Sequence, residues 1–392
     1  MNLRKKKFID KYVGFTLLAI ITPISFFLGI ILNRNHNIKE VSRSITLIKI
    51  LGGGSLFTAL VPLIALKKRY PKKKLILICS ENTLSFAKLM GIFDRIIIIK
   101  TNNLWNLLIT SFKALSKVSF TDVTIDLEVH SKLTSLFSLA TFARNRVGLY
   151  SKYNSWQNGI LTHKILFDES KLLSQYYEKA VRLFGIENFD YADLSKHIII
   201  NNNLKPYKKT SVINSLAIGP YCSELGRERE FKDLEWIELF NKNKLDFKKI
   251  IIIGSKIDYS KSIQLEKRLY KWNSELLIEN KVGKLSLKDS VQEILNADIF
   301  YTIDSGLNHI LRQLKMSINS YWGPTDPKTR LNYLENSNEF IFYSKILCSP
   351  CVHLIDLPPC NGNNICMKQH IKTISLKDAY SNSLQITRNK NG

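Results

Sequence analysis

The chain contains 392 residues, of which 45% are hydrophobic, 10% aromatic and 23% charged. These proportions exclude a collagen-like or disordered chain, and the length allows two or three domains with cores of their own. Lys and Arg (57) outnumber Asp and Glu (33), so the formal net charge is +24. Such a charge suits a polyanionic partner, whether nucleic acid, an acidic membrane surface or a phosphorylated ligand.

The first predicted element is an apolar segment at residues 13–32, twenty residues without a charge that follow a cluster of lysines. At 1.5 Å per residue it is long enough to cross a hydrocarbon core of about 30 Å. A cleaved signal peptide shares this pattern, but no small-residue cleavage site follows, so we predict a retained membrane anchor over residues 1–40. Balanced flanking cations and the central Pro23 leave a full span and a re-entrant helix both open.

Strands and helices alternate after the anchor. Apolar runs predict strands at residues 44–51, 75–79, 95–99 and 123–127, and helical patterns predict helices at 55–70, 84–90 and up to 142. Pro62 should kink the first of these helices or shift its start. Continuous apolar strands between helices are typical of a parallel sheet that is covered on both faces.

A polar stretch at residues 201–209 interrupts this pattern and resembles an interdomain linker. The alternation then resumes, with strands predicted at 215–218, 249–253 and 299–302 and helices at 234–241, 260–272 and 287–296. We therefore predict an α/β protein of two Rossmann-like domains, residues 41–205 and 206–392, facing a cleft that holds the site.

Two strand ends carry the motifs of interest. Gly52, Gly53 and Gly54 follow a strand and open a helix, where backbone N–H groups can face a polar ligand. They do not form the dinucleotide fingerprint, because Phe57 stands where its third glycine would be. On this motif alone, a tight turn between strand and helix is the favoured explanation.

The second motif is stronger. A buried strand ends in Asp304, Ser305 and Gly306, and the next helix carries Asn308 and His309 in its first turns. Capping by Asp304 or Ser305 would leave free N–H groups and His309 at a helix start that suits a diphosphate. Simple capping beside a surface histidine is the alternative.

Four cysteines lie close together near the C-terminus, at Cys348, Cys351, Cys360 and Cys366. Tetrahedral thiolate coordination is what zinc prefers, so this spacing is compatible with a structural zinc site. Free or paired thiols are the alternative, and the sequence leaves both open.

Taken together, these residues resemble glycosyltransferase family nine, the heptosyltransferase family. The resemblance rests on residues 304–309 followed by Gly-Pro-Thr-Asp-Pro at 323–327, and it extends over residues 44–367. In the first half of the chain, the resemblance includes residues 49–55, 67–71, 126–128 and 146–148. In the second half it includes residues 219–220, 223–225, Arg229 with Phe231, Gly254, 283–287 and the cysteines.

The resemblance implies a GT-B fold, with an acceptor in the N-terminal domain and a nucleotide-sugar donor in the C-terminal one. It implies an inverting transfer that needs no cofactor, in which a helix dipole and basic side chains stabilise the leaving diphosphate. The donor-binding residues that it implies are Asp304, Ser305, Gly306, Asn308, His309, Arg229, Ser223 and Glu224. Gly52, Gly53 and Gly54 would form the acceptor-side loop.

One departure from the family pattern concerns the chemistry. The family has Gly-Asp at the start of the first helix and this aspartate is its proposed base, whereas this chain has Gly54-Ser55. A serine without a partner is a poor base at neutral pH. We therefore predict Glu128 as the base, with Asp126 as the next candidate and Ser55 at most orienting the acceptor, because both carboxylates follow the end of a strand.

These observations favour a glycosyltransferase that moves a heptose or similar sugar onto a lipopolysaccharide or another lipid-linked or polysaccharide acceptor. The anchor would place it at the cell inner membrane, with its catalytic domains in the cytoplasm. A catalytically silent paralogue that binds a nucleotide sugar is the first alternative. A nucleic-acid-binding protein is less favoured, since the cations are spread along the chain rather than interleaved with aromatics. We expect no nucleic-acid partner.

Overall fold

The computed structural model describes residues 3–129, 131–151, 157, 159–223, 226–243, 246–332, 334, 337–352 and 358–373. The chain divides into two compact units, Met1–Ala192 and Asp193–Gly392. Each unit contains one sheet of six strands, and all strand pairs in both sheets are parallel. The predicted α/β class with two parallel sheets is thereby confirmed.

The first unit is built from six strands and seven helices within the described residues. Its strands are β1 (Ser44–Lys49), β2 (Lys74–Ser80), β3 (Arg95–Ile99), β4 (Val123–Asp126), β5 (Asn145–Tyr150) and β6 (His163–Leu166). Its helices are α1 (Leu3–Ile31), α2 (Gly53–Phe57), α3 (Leu60–Arg69), α4 (Glu81–Met90), α5 (Leu104–Val118), α6 (Lys132–Ala140) and α7 (Leu173–Arg182). The strand order is β3-β2-β1-β4-β5-β6, so the chain leaves the neighbours β1 and β4 in opposite directions.

The second unit repeats this arrangement. Its strands are β7 (Ser215–Gly219), β8 (Lys249–Ile252), β9 (Leu277–Asn280), β10 (Ile299–Ile303), β11 (Ile318–Trp322) and β12 (Glu339–Tyr343). Its helices are α8 (Leu194–Asn202), α9 (Asp233–Lys242), α10 (Tyr259–Trp272), α11 (Leu287–Leu295), α12 (Gly306–Leu311), α13 (Pro327–Arg330) and α14 (Ile365–Thr373). The order β12-β11-β10-β7-β8-β9 makes β7 and β10 the neighbours at which the direction of winding changes.

These two reversals position the sites. In an open parallel sheet, ligands bind at the carboxyl ends of the strands where the winding direction changes, because the two following loops diverge there and leave a crevice. In the first unit this switch point lies between the loops after β1 and β4. In the second unit it lies between the loops after β7 and β10. The glycine loop, Glu128, Arg229 and the motif at 304–309 each follow one of these four strands, whereas Gly-Pro-Thr-Asp-Pro at 323–327 follows β11.

The cores are apolar, as the strand sequences predict. In the second unit, Trp236, Phe240, Tyr301 and Tyr321 are almost completely buried in one cluster with Phe231. Neighbouring rings in this cluster meet mostly edge to face or tilted, at centroid separations of about 5 to 6.5 Å. Such packing favours a single arrangement of the strands and helices around the switch point.

Pro62 has the effect that the sequence predicts. The predicted helix at 55–70 is two helices, α2 and α3, and Pro62 lies in the first turn of α3. A proline is tolerated there because the first turn has no intrahelical partner for its N–H group. The domain boundary differs from the expected residue 205, since α8 belongs to the second unit.

The predicted membrane anchor needs correction. Residues 13–32 are largely helical as expected, but α1 packs along α6, where Leu18 joins Leu136, Leu139 and Ile160 in an apolar cluster. Over the residues described, no helix combines the length and apolarity needed to cross a bilayer. A transmembrane helix is therefore not supported, because part of the apolar surface of α1 is used within the first unit.

Candidate functional site

The switch point of the second unit is occupied by a buried ion pair. Arg229, in the loop after β7, donates from Nη1 to Oδ2 of Asp304 at 3.0 Å, and Asp304 directly follows β10. The His309 Nε2 atom lies 3.6 Å from the other carboxylate oxygen. The structure thus brings together three predicted donor-site residues that come from two different loops.

Local structure fixes these side chains in place. Ser305 caps α12 by accepting a hydrogen bond from the backbone N–H of Asn308, as expected for a helix start. Arg312, at the end of α12, donates from Nε to Oε2 of Glu339 at 2.9 Å, and both side chains are buried. On the other side of the site, Arg229 Nε donates to the Gly226 carbonyl oxygen at 2.9 Å. These hydrogen bonds hold in place the loop that contains Arg229 and the helix α12 that contains His309.

The charges at this site are strongly coupled. Burial raises the pKa of Asp304, but Arg229, His309 and Arg330 lower it more, so the pKa lies far below its usual range. Burial likewise lowers the pKa of Arg229, and the facing Asp304 raises it above its usual value. Both groups stay ionised at neutral pH, and an anion approaching this crevice meets cations that a carboxylate holds in place.

Arg330 was missed by the sequence reasoning. It ends α13, one turn after the Gly-Pro-Thr-Asp-Pro motif, and contributes to the low pKa of Asp304. The motif was recognised for its rigid turn, and a basic residue three positions beyond it could have been read as a further contact for a phosphate. Its charge is apparent in the sequence, but its proximity to Asp304 follows only from the tertiary fold.

The other predicted donor-binding residues differ from one another in burial and in contacts. Asn308 is fully buried, and neither its amide oxygen nor its amide nitrogen has a hydrogen-bond partner among the described residues. Gly306 begins α12, which has only six residues. Ser223 is exposed in the loop after β7, and Glu224 lies outside the described residues. Their predicted roles in donor binding stay predictions.

The switch point of the first unit contains a second buried ion pair. Glu128, just after β4, accepts a hydrogen bond from Lys49 Nζ at 3.0 Å through Oε2. Its Oε1 atom accepts from the backbone N–H groups of Ile50 and Leu51, at 2.9 and 2.7 Å. Burial lowers the pKa of Lys49, but the charge of Glu128 raises it more, so the lysine stays protonated. Glu128 therefore holds the start of the glycine loop.

The glycine loop itself is closely packed. Gly52 has a φ of +75°, a left-handed conformation that a side chain would strain. A Cβ atom at Gly53 would lie 2.1 Å from the ring of Phe86, so this position has no room for one. Ser55 donates from Oγ to the Gly52 carbonyl oxygen at 2.8 Å and closes the turn. Packing accounts for the glycines here, and the binding role of Gly52, Gly53 and Gly54 stays a prediction.

Asp126, the second candidate base, is enclosed. It ends β4, accepts a hydrogen bond from the Glu128 N–H at 3.0 Å, and is almost completely buried. Burial raises the pKa of Asp126 to about 7, and the nearby charge of Glu128 adds to the shift. A carboxyl group with such a pKa exchanges its proton near neutral pH, as a general base requires, although nothing in the described contacts tests that role.

Of the two alternatives that the cysteine spacing leaves open, a structural zinc site is not supported. The four cysteines are free thiols that line one cavity of about 10 Å³. Within the described part of the chain, no three His, Cys, Asp or Glu side chains are placed to hold a metal ion. Cys366 packs in the apolar core against Gly323, and burial raises its pKa to about 12. A buried protonated thiol behaves as a small apolar group rather than as a ligand.

Comparison with known proteins gives the fold. No protein-family model matches the sequence, and no curated protein matches it either.

Solved structures do match. A glycosyl transferase of family 9 from Veillonella parvula is 13% identical with a TM-score of 0.58, and the alignment covers 79% of this chain and 88% of that one. The E. coli ADP-heptose lipopolysaccharide heptosyltransferase II is 16% identical with a TM-score of 0.56, over 84% and 98%. An E. coli heptosyltransferase solved with ADP is 15% identical with a TM-score of 0.58, over 77% and 93%. This likeness, at low identity, establishes a GT-B-like α/β fold.

The raised pKa of Asp126 makes a prediction about stability. The folded state keeps this proton up to about pH 7, whereas the unfolded chain releases it near pH 4, so the free energy of unfolding falls between these values. Asp126→Asn removes the titration and preserves an oxygen for the Glu128 N–H. We expect this variant to be more stable than the wild type at pH 8, by about 1–3 kcal/mol, and nearly equal to it at pH 4. Urea denaturation at both pH values measures this.

Asp122 is the matched control, with the opposite sign. Burial raises the pKa of Asp122, but hydrogen bonds from Ser42 and from the N–H groups of Ser44 and Arg43 lower it more. Its ionised form therefore stabilises the fold above about pH 4, and Asp122→Asn should destabilise the protein at pH 8. Equal pH dependence in wild type and Asp126→Asn would contradict the assignment.

Proposed function

We propose that this protein is a glycosyltransferase that moves a sugar from a nucleotide-sugar donor to a surface-glycan acceptor. The observation that carries the proposal is the buried cluster of Arg229, Asp304 and His309 at the switch point of the second unit. Its fold is shared with heptosyltransferases and a family 9 glycosyl transferase. Heptose is the sugar proposed first, because the neighbours in fold include ADP-heptose enzymes.

The cluster suits a diphosphate leaving group. In the transfer, an acceptor hydroxyl oxygen attacks the anomeric carbon while the bond from that carbon to the diphosphate oxygen breaks. Negative charge grows on the departing nucleoside diphosphate and must be stabilised where it develops. The guanidinium of Arg229 has five N–H donors and can hold Asp304 while offering another to a phosphate oxygen. Arg330 adds a further positive charge that acts on Asp304.

Asp304 has a positioning role in this proposal. Its carboxylate faces Arg229 and His309 and fixes both relative to the strand end. An isolated arginine would lose side-chain entropy on binding the donor, whereas a side chain already held by a carboxylate loses less. The site is thus organised before the donor arrives.

The proposal extends to the acceptor and the stereochemistry. We infer a lipopolysaccharide or another lipid-linked or polysaccharide acceptor, and an inverting transfer that uses no metal. A direct displacement by the acceptor oxygen inverts the anomeric carbon and needs one base to take the hydroxyl proton. The base proposed is Glu128, with Asp126 next, because both follow β4 at the switch point of the first unit.

The donor site is tested by Asp304→Asn and His309→Ala. Each variant loses one charge-assisted contact, so we expect donor binding to weaken by about 1.5–3 kcal/mol, roughly 10- to 100-fold. Titration calorimetry with ADP-heptose, and with GDP- and UDP-sugars, measures the affinity and identifies the nucleotide.

His197→Ala is the matched control, since this half-buried histidine lies on α8, which precedes β7, and not at the carboxyl end of a switch-point strand. Circular dichroism verifies that each variant is folded. Unchanged donor affinity in both Asp304→Asn and His309→Ala would show that these two residues have a purely structural role.

The base is tested by Glu128→Gln. Loss of general-base help should reduce kcat by about 10²-fold or more while donor affinity changes little. Because Glu128 also holds Lys49 and the glycine loop, the melting temperature of the variant is measured in parallel. Ser55→Ala is the control and should reduce kcat less, since its hydroxyl bonds only within the turn. A full rate in Glu128→Gln would transfer the role to Asp126.

A silent paralogue that binds a nucleotide sugar is the second candidate. It is favoured by Ser55 at the position of the family's aspartate and by the hydrogen bonds that already occupy both oxygens of Glu128. Donor binding without transfer to any acceptor, and without donor hydrolysis, would support it over the enzyme.

We also propose that the protein works at the cytoplasmic face of the cell inner membrane. Nucleotide sugars are supplied in the cytosol, and a lipid-linked acceptor would be embedded in that membrane. Fractionation of cells that produce the full chain should place it with membranes until detergent is added, and a reporter fused at Gly392 should be on the cytoplasmic side. Recovery in the detergent-free soluble fraction, or an external reporter, would contradict this location.

A further inference from the structure

We infer that one flank of the first unit, formed by helices α1 and α5, is a docking surface for an anionic lipid bilayer. The inference does not depend on the proposed transfer reaction, because it concerns a surface whose binding can be measured without donor or acceptor.

Helix α5 exposes a stripe of large apolar side chains. Trp105, Leu108, Ile109 and Phe112 are spaced at i, i+3, i+4 and i+7, and so they lie on one face of the helix. The side chain of Trp105 is 76% exposed and that of Phe112 is 70% exposed. The opposite face packs on the sheet through Ala114 and Val118. One face of the helix thus packs against the core, and a second apolar face is exposed to solvent.

Helix α1 exposes a similar stripe. Ile20, Ile24, Phe27 and Ile31 recur at intervals of four, three and four residues, and all four are more than half exposed. Leu18, on the other side of the helix, is buried against α6. A helix packed along the domain in this way can lie in a bilayer interface rather than across it.

The two stripes belong to the same flank. Helix α6 contacts both α1 and α5. It contributes Phe137 to the cluster with Ala114 and Val118 of α5, and Leu136 and Leu139 to the cluster with Leu18 of α1. The inward faces of α1 and α5 are therefore fixed by the same helix, and the helices that carry the two stripes are both neighbours of α6.

The charge of this flank selects an anionic surface. The sequences of α5 and α6 contain three lysines and no acidic residue. Lys113 and Lys117 are exposed on α5 itself, and Lys100 is exposed just before it. Lysines beside a tryptophan and large aliphatic side chains match a bilayer interface, where an aromatic ring lies at headgroup depth and cations meet lipid phosphates.

Apolar exposure on this scale is unusual for a surface that remains in water. Solitary exposed apolar side chains are ordinary, but four on one face of α1 and four on one face of α5 are typical of an interaction site. A second copy of the chain would be repelled by the shared positive charge, whereas an anionic bilayer is attracted by it.

The test is vesicle binding by the full chain. We expect co-sedimentation with vesicles of equal parts phosphatidylcholine and phosphatidylglycerol, and much weaker binding to pure phosphatidylcholine. The double variant Trp105→Ser/Phe112→Ser leaves α1 intact and should lower the apparent affinity about tenfold or more. Lys113→Glu/Lys117→Glu should weaken binding to the anionic vesicles, most strongly at low salt.

Tyr270→Ser is the matched control, since this aromatic side chain is 60% exposed on α10 of the second unit. It should leave vesicle binding unchanged. Brominated phosphatidylcholine in the vesicles should quench tryptophan fluorescence in the wild type, and Trp105→Phe should lose most of that quenching.

Two outcomes would overturn the inference. One is vesicle binding by Trp105→Ser/Phe112→Ser that equals the wild type, which would assign membrane affinity elsewhere in the chain. The other is a concentration-dependent dimer in light scattering that this double variant abolishes while no vesicle binding occurs, which would make the flank an interface between copies of the chain.

Discussion

The arrangement of both units depends on a cation paired with a buried carboxylate where the winding of the sheet reverses. In the first unit Lys49 faces Glu128, and in the second Arg229 faces Asp304. Each pair joins residues at or beyond the carboxyl ends of two neighbouring strands, β1 with β4 and β7 with β10, where the winding of the sheet reverses. Removing one member of such a pair leaves an uncompensated buried charge, which typically costs about 3–5 kcal/mol. Neither residue of a pair can change alone without disturbing its loop.

The two ion pairs differ in the groups that surround their carboxylates. The carboxylate of Glu128 accepts hydrogen bonds from one lysine and two backbone N–H groups, and the buried Asp126 lies beside it. At the second, Asp304 faces Arg229 and is also influenced by His309 and Arg330. Arg330 therefore adds a cation beyond the ion pair in the second unit. The same strand topology thus surrounds the two buried carboxylates with different groups.

The sequence predicted the strands better than it predicted the site. Residues 95–99 form β3 as expected, and the motif at 304–309 does end a strand and begin a helix. Apolar runs between helices identify buried strands because such a sheet has no solvent-facing side. Helix α5 was missed, since half of its apolar residues face outward and the pattern does not match a helix that covers a core. The contacts of Glu128 with Lys49 could not be predicted, because they join residues 79 positions apart through the sheet order.

Glu128 also changes what the glycine loop can bind. Backbone N–H groups that follow a strand and precede a helix commonly receive the phosphate of a nucleotide, yet here the N–H groups of Ile50 and Leu51 already donate to Glu128. The protein carries its own anion at this position, covalently attached and always present. A dissolved phosphate would have to displace that carboxylate and separate it from Lys49. Any ligand of this loop must consequently be bound by groups other than these two N–H donors as long as Glu128 keeps its place.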